Sequence, residues 1–410
     1  MMAMTKTSSK YKVSKVVWMS SVLFGLFADV RCLNRVIISF LPFSGEGIMS
    51  YIFIAIFLAV FFLCAKHKKL IKPTPEVGLI VGFLLLFFLL TLLFVGMPEV
   101  SVLDFFVFTI CAFVLPFLSC VDGKIMLRTM ILAPVAGIFK LSQIFVLDEI
   151  VGNIDMSITY AFLPPVVASI VYLFVYYNND SLKCKVIILL SCVINLVYLI
   201  EMMLFGSRGP ILAVFGVLLF IYLVKKDKLS NGIKTKKLPL IVGVGLFVPS
   251  IVFMESLLNV LDVFLNRFNI NFRFIEKSLF LIGENNLSHY RDEITSIAWK
   301  GFCDNPILGN GLDRFLANTG ISYPHNFVLQ VLYDGGLVLL GVLLLPVLLG
   351  AIRKYKSCTT GEYAILTTLM FASVPGALFS GDMWRQALLW LFFGACIVSR
   401  SFFNEKNLIF

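Results

Sequence analysis

Charged side chains are scarce in this 410-residue sequence, at 14% of the chain, whereas an ordinary soluble domain has roughly 25%. Hydrophobic residues account for 59%, which excludes both a soluble globular enzyme and a disordered chain. The nine cysteines form no C-x-x-C pair and mostly lie within apolar runs. They therefore indicate neither a disulfide framework nor a metal site. The short alternating segments that are typical of membrane β-strands are also absent.

The sequence contains instead a series of uncharged apolar runs of about 15 to 25 residues, the length that an α-helix needs to cross roughly 30 Å of hydrocarbon. These runs predict an all-α polytopic integral membrane protein with about twelve transmembrane helices. Asp29, Arg31 and Arg35 interrupt the first run. The predicted spans lie at about 16–28, 47–65, 77–96, 102–120, 129–147, 158–177, 186–205, 210–224, 238–254, 328–350, 363–380 and 386–402.

The net charge of +10 is explained by membrane topology. If the basic N-terminus is cytoplasmic and the spans alternate, every strongly basic loop falls on the cytoplasmic face, as the positive-inside rule requires. The acidic loop with Asp148, Glu149 and Asp155 falls outside, and only Arg31 and Arg35 fit poorly. This topology places both termini in the cytoplasm and predicts no nucleic-acid partner.

One long polar connection divides the chain. Residues 1–254 would hold transmembrane helices 1–9, residues 255–327 a large periplasmic (extracytoplasmic) loop, and residues 328–410 transmembrane helices 10–12. Long loops inside compact proteins are usually functional or disordered. The helix-like spacing in this loop predicts a small folded subdomain.

Three cationic or titratable side chains fall on the predicted outer face. Arg208 lies at the junction of two spans, Arg291 lies inside the large loop, and His325 lies where that loop re-enters the membrane. A guanidinium places two donors on phosphate oxygens and stays charged, while histidine exchanges a proton near neutral pH. Each also has a structural interpretation: an interfacial anchor for Arg208, an ion pair with Asp292 or Glu293 for Arg291, and a structural histidine at 325.

Four short motifs follow one another between about residues 200 and 345. G-S-R-G-P at 206–210 opens a predicted helix, and Arg291 and Trp299 precede N-P-I-L-G-N-G at 305–311. Y-P-H-N at 323–326 and D-G-G at 334–336 come next. In order and spacing, the set resembles the S-R-G, P-x-x-G-x-G, H-N and E/D-x-G elements of the bacterial O-antigen polymerase and ligase superfamily.

The resemblance implies an inverting transfer of glycan from undecaprenyl diphosphate to a sugar hydroxyl at the outer leaflet of the bacterial inner membrane. No metal, other cofactor or nucleotide sugar is implied. The sequence is compatible, because it has no Asp-x-Asp motif and no His/Cys cluster with metal-ligand spacing. The expected partners are the lipid-linked oligosaccharide donor and acceptor, membrane lipid and a chain-length regulator protein.

The predicted site follows from this chemistry. The two arginines would neutralise charge that develops on the diphosphate leaving group, and His325 would act as a base or orient the acceptor hydroxyl. The predicted catalytic residues are His325, Arg208 and Arg291, and the predicted substrate-binding residues are Arg208, Gly209, Arg291, Asn326 and Arg385.

A polymerase of oligosaccharide repeat units is favoured over a ligase. The ligase pattern has a second glycine three positions after Gly336, where this chain has Leu339, and the next glycine is Gly341. A ligase that transfers glycan to the lipid A core is the alternative enzyme. A transporter or flippase of lipid-linked sugars is the non-enzyme alternative, for which the sequence offers only scattered intramembrane charges such as Lys140 and Glu201.

Overall fold

The computed structural model describes residues 14–40, 48–67, 75–140, 157–204, 208–226, 233–235, 291–379 and 381–398, with short pieces between 259 and 280. These residues form a helical protein, as predicted, with one minor antiparallel strand pair, β1 (Val224–Lys226) and β2 (Ile233–Thr235). The helices are α1 (Lys15–Ala28), α2 (Val30–Phe40), α3 (Ile48–Lys66), α4 (Pro75–Val95), α5 (Val102–Leu118), α6 (Gly123–Leu132), α7 (Ser157–Val175), α8 (Leu182–Leu204), α9 (Arg208–Leu223), α10 (Arg291–Asp304), α11 (Phe315–Thr319), α12 (Phe327–Ser357), α13 (Thr360–Phe379) and α14 (Ala387–Ile397).

Several of these helices have the character of membrane spans. Within the described ranges, four helices (α4, α8, α12 and α13) are long and apolar enough to cross a bilayer, and α1 with α2 makes a fifth if that bent pair is one span. The shorter α3, α5, α7, α9 and α14 are also apolar. The chain is therefore a membrane protein, but the predicted count of about twelve spans is not confirmed.

The predicted apolar runs nevertheless fall on helices, with two exceptions. The run at about 238–254 lies outside the described residues. The run predicted at 129–147 starts earlier, as α6, and turns at residues 133–134 into a short 3₁₀ helix, Val135–Lys140. Of the predicted loop 255–327, the structure describes residues 291–326 without a gap, and α10 within this segment packs against α12. The proposed domain boundaries stay predictions.

The core of the bundle is built around its last two helices. α13 packs against α7, α9 and α14, and α14 packs against α5, while α1 packs against α3 and α6. Large aromatic side chains fill the centre: the rings of Trp384 and Trp390 stack with centroids 5.6 Å apart, and Trp390 meets Phe113 and Phe393 edge-on. Because lipid is as apolar as these side chains, close packing rather than exclusion from water holds such helices together.

One end of the bundle gathers the segments predicted to be cytoplasmic. Lys124 and Arg128 on α6 both pair with Asp180, just beyond α7. Burial would raise the pKa of Asp180, but hydrogen bonds from Lys124, Tyr172 and Arg128 hold it below the usual range. A Cβ at Gly123 would lie 2.8 Å from the carbonyl oxygen of Gly361, so the starts of α6 and α13 meet at this end. The predicted outer motifs gather at the opposite end.

Candidate functional site

A cavity of about 610 Å³ lies where the predicted outer motifs meet. Its wall comes from the α1–α2 junction, from α7 and α13, from the start of α10 and from the segments that precede α12 and α14. The small residues Ala372, Ser373 and Gly376 on α13 leave the space open. A volume of this size is typical of ligand pockets. The polar and charged residues in the wall are Asp29, Arg31, Tyr160, Arg291, Ser373, Tyr323, His325, Asp382, Arg385 and Gln386.

Three of the predicted site residues share this cavity. Arg291 begins α10, His325 precedes α12 and Arg385 precedes α14, and all three line the same wall although the chain separates them by 34 and 60 positions. The predicted convergence of Arg291 and His325 is therefore seen in the structure. Their catalytic roles stay predictions.

Arg208 and Gly209 lie at the start of α9, next to the cavity. The side chain of Arg208 lies outside the described residues. Gly209 is buried but does not line the cavity, and a Cβ there would overlap the hydroxyl of Tyr160, which does. The close approach that a glycine permits at 209 is thus made by Tyr160. A lipid headgroup contact at Gly209 stays a prediction.

The Y-P-H-N motif forms a strained entry into α12. His325 has φ +56°, a left-handed conformation that is uncommon for residues other than glycine. Its ring lies 4.4 Å from that of Tyr323, centroid to centroid. The next residue, Asn326, is the N-cap of α12 and its side-chain oxygen accepts from the amides of Val328 and Leu329. Asn326 therefore fixes the helix start behind His325 and does not line the cavity. Such strain is common at functional sites.

Arg385 is held by a network of buried polar groups. Its guanidinium pairs with Asp382 and lies 3.4 Å from a carboxylate oxygen of Asp313. Asp382 also accepts from Gln330 Nε2 at 2.7 Å and caps the turn that carries Arg385. Arg31 donates to the backbone carbonyl oxygen of Arg385. The arginine is thereby fixed in the wall by direct contacts with two other segments of the chain and, through Asp382, with a third.

Asp313 adds a titratable group behind this arginine. Burial first, and then the nearby Asp382, raise its pKa to about 7, although Arg385 acts in the opposite direction. Asp313 also has φ +52°, in the left-handed region. The charge balance around Arg385 consequently changes near neutral pH.

The P-x-x-G-x-G and D-G-G motifs contact each other through their backbones. The amides of Asn310 and Gly311 donate to the carbonyl oxygens of Tyr333 and Asp334, at 2.8 and 2.9 Å. In return, the amide of Leu337 donates to the carbonyl oxygen of Pro306 at 2.9 Å. Gly309, Gly311 and Gly336 all have positive φ. The P-x-x-G-x-G turn therefore docks on the kink of the D-G-G motif, and these glycines have a structural role.

The charged residues at the α1–α2 junction are part of the cavity wall, although no sequence motif marks them. Asp29 and Arg31 line the cavity, and in the sequence both interrupt the first apolar run. Arg31 also fitted the positive-inside pattern poorly, which is a second signal that topology does not explain this residue.

Comparison with known families points to the same part of the chain. Residues 193–344 match the family model described as O-antigen ligase. The resemblance to the O-antigen polymerase and ligase superfamily is confirmed. Among curated proteins, no relative matches the chain. The segment that matches the O-antigen ligase family includes Arg208, Arg291 and His325. Asp29, Arg31 and Arg385 lie outside it, so the cavity is completed by both flanking parts of the chain.

Proposed function

We propose that this protein is a membrane glycosyltransferase that polymerises oligosaccharide repeat units carried on undecaprenyl diphosphate. The observation that carries the proposal is the convergence of Arg31, Arg291 and Arg385 with His325 on one cavity, in a chain that matches the O-antigen ligase family. Arginines bind phosphate oxygens with paired donors. A cavity with three of them is suited to a diphosphate.

The proposed reaction is a displacement at the anomeric carbon of the donor sugar. The acceptor hydroxyl forms the new glycosidic bond and loses its proton, while the bond from the anomeric carbon to the phosphate oxygen breaks and the diphosphate keeps the electron pair. A single displacement inverts the anomeric configuration. Cationic groups fixed before the reaction stabilise the charge that develops on the leaving group. Arg291 and Arg385 would do this here together with Arg208, and His325 would face the acceptor.

The cavity would open to the periplasm at the outer leaflet of the bacterial inner membrane. The gathering of basic loops at the opposite end of the bundle supports this orientation, since cytoplasmic loops carry the excess of Lys and Arg. With both termini in the cytoplasm, the donor and the acceptor would reach the site from the membrane plane. A chain-length regulator protein stays a predicted partner.

A ligase that transfers glycan to the lipid A core is a second candidate, which the name of the matched family, O-antigen ligase, favours. A deletion strain separates the two on a lipopolysaccharide gel. If single repeat units still reach the lipid A core, the protein is the polymerase, whereas loss of every repeat from the core would identify the ligase.

The same gel tests the site. Arg208→Ala, Arg291→Ala and His325→Asn are each expected to abolish long chains while the protein still inserts. Loss of one charge-stabilising donor costs on the order of 10²–10³ in kcat, and loss of a positioned base costs about 10²–10⁴. Asparagine tolerates the positive φ at position 325. Lys300→Ala, at an exposed position on α10, is the matched control. Normal ladders from all three site variants would overturn the catalytic assignment.

A further inference from the structure

A glutamine is buried near the start of α12, behind the cavity wall. Gln330 is 1% exposed and does not line the cavity. Both ends of its amide are used: Nε2 donates to Oδ1 of Asp382 at 2.7 Å, and Oε1 accepts from the backbone amide of Met383 at 2.9 Å. Burial of a side-chain amide is expensive unless such bonds are made. The glutamine is therefore tied to the turn that precedes α14.

The two oxygens of Asp382 connect this glutamine to the arginine of the cavity wall. Oδ1 accepts from Gln330 at 2.7 Å and from the backbone amide of Trp384 at 3.0 Å, while Oδ2 accepts from the guanidinium of Arg385. Two donors on Oδ1 fix the rotation of the carboxylate, and with it the direction in which Oδ2 faces. Gln330 therefore acts on Arg385 through Asp382.

A second side chain of α12 holds the same turn. Asp334 follows Gln330 by four positions, which places both on one face of the helix, and its Oδ2 accepts from the indole nitrogen of Trp384 at 2.6 Å. The helix itself begins two residues after His325. The first turns of α12 consequently set the position of Arg385 relative to His325.

We propose that Gln330 is a positioning residue for glycosyl transfer, which holds the guanidinium of Arg385 where it meets the diphosphate of the donor. This inference rests on the proposed function. As the bond from the anomeric carbon to the phosphate oxygen breaks, negative charge grows on the diphosphate. A guanidinium stabilises this charge best when it is fixed in place beforehand. Gln330 supplies that fixation from outside the cavity, through the carboxylate of Asp382.

A purely structural amide would behave differently. If Gln330 only stabilised the packing of α12, its loss would lower the melting temperature and leave the turnover of the folded enzyme intact. If it acts through Arg385, its loss should lower kcat, and only while Arg385 is present. A double-mutant cycle separates the two roles, because residues that act through one group have non-additive effects.

The test uses the full-length enzyme in lipid nanodiscs with an undecaprenyl-diphosphate-linked repeat unit as both donor and acceptor, and it measures the release of diphosphate. Gln330→Met keeps the length of the side chain and removes both hydrogen bonds. It is expected to lower kcat by about 10²-fold, as a misplacement of about 1 Å can, with KM little changed. Arg385→Gln should lower kcat by about 10²- to 10³-fold. The double variant should be no slower than Arg385→Gln alone.

Asn195→Leu is the matched control. Asn195 on α8 is another buried amide, whose Nδ2 donates to Ile131 and Ser169, and it does not line the cavity. Its loss should lower the melting temperature and leave kcat near that of the wild type. Gln330→Asn, which keeps an amide on a shorter side chain, should give an intermediate kcat. This milder variant carries the cycle if Gln330→Met does not insert.

Each outcome has a distinct meaning. Wild-type kcat in the Gln330 variants, or losses that multiply in the double variant, would overturn the role of Gln330 while leaving the transferase intact. A loss of kcat in Asn195→Leu as large as that in Gln330→Met would overturn it as well, in favour of a general effect of bundle stability. A wild-type protein that binds the donor and releases no diphosphate would instead refute the proposed function.

Discussion

At the scale of single residues, the site depends on side chains that are fixed in unusual conformations. His325 and Asp313 both have positive φ, which costs conformational energy that the rest of the fold must offset. In both cases the backbone on either side is tied down, by the helix cap of Asn326 and by the amide of Glu99, which donates to the carbonyl oxygen of Asp313. These hydrogen bonds therefore keep both residues in their strained backbone conformation and keep the nearby cavity wall ordered.

Asp313 should make the stability of the protein depend on pH. Its folded pKa is raised to about 7, above the unfolded value of about 3.9, so the folded state holds a proton that the unfolded chain has lost. This contribution is fully present below about pH 4 and is lost as the pH rises to about 7. Asp313→Asn, which cannot titrate and tolerates positive φ, should flatten this decline.

Melting temperatures between pH 4 and pH 8 would measure the effect. Asp304→Asn, an exposed carboxylate on α10, should leave the wild-type slope unchanged. Parallel pH profiles for the wild type and Asp313→Asn would contradict the assignment.

At the scale of elements, backbone hydrogen bonds attach the 306–311 turn to the kink of α12. This contact holds the segment after α10 against the bundle. Gly336 has φ +58°, and a Cβ there would lie 2.5 Å from the carbonyl oxygen of Ile307. Gly336→Ala should therefore lower the free energy of unfolding by more than about 1 kcal/mol, the cost of a left-handed residue alone. Transfer activity should fall with it, because α10 carries Arg291.

Gly341→Ala is the matched control for this substitution. It lies one turn further along α12 with no neighbouring atom within 4 Å of the added Cβ, and alanine favours a helix. Melting temperature and protein yield should be lower for Gly336→Ala than for Gly341→Ala. Equal stability of Gly336→Ala and the wild type would show that the contact between the 306–311 turn and the α12 kink is dispensable.

The sequence predicted the helices better than it predicted their breaks. Long apolar runs specify helices through composition alone, so α3, α4 and α8 lie close to where the hydropathy placed them. The kink at Gly336 is held by backbone hydrogen bonds to the distant 306–311 turn, and hydropathy alone specifies neither this kink nor the bend at Asp29. The turn at residues 133–134 was missed for the same reason, since Pro134 inside an apolar run does not distinguish a kinked span from two helices.

In the candidate site, too, the sequence identified some residues and missed others. Arg291 and His325 were found because the motifs around them are recognisable in order, and Arg385 because it lies beside a tryptophan at an interface. Asp29 has no flanking motif, and its place in the cavity wall depends on a bend that brings the α1–α2 junction against the last loop. That juxtaposition is a property of the tertiary structure.

At the scale of the whole molecule, the two ends of the bundle should face opposite compartments. Cys303 on α10 is exposed at the cavity end, whereas Cys184 lies at the opposite end near Asp180. A membrane-impermeant maleimide applied to spheroplasts should therefore label the wild type and fail to label Cys303→Ser. Permeabilised membranes of the variant should regain labelling through Cys184. Labelling of intact Cys303→Ser spheroplasts would contradict the orientation.

The hydrogen bond from Arg31 to the carbonyl oxygen of Arg385 joins residues 354 positions apart. The chain is synthesised from its N-terminus. The α1–α2 pair is therefore inserted long before the segment with Arg385, and the cavity stays incomplete until that segment is in place. The loop after α13 is the piece that closes it. A nascent chain stalled between residues 291 and 385 would hold Asp29, Arg31 and Arg291 without a finished cavity wall, so the cavity forms only late in the synthesis of the protein.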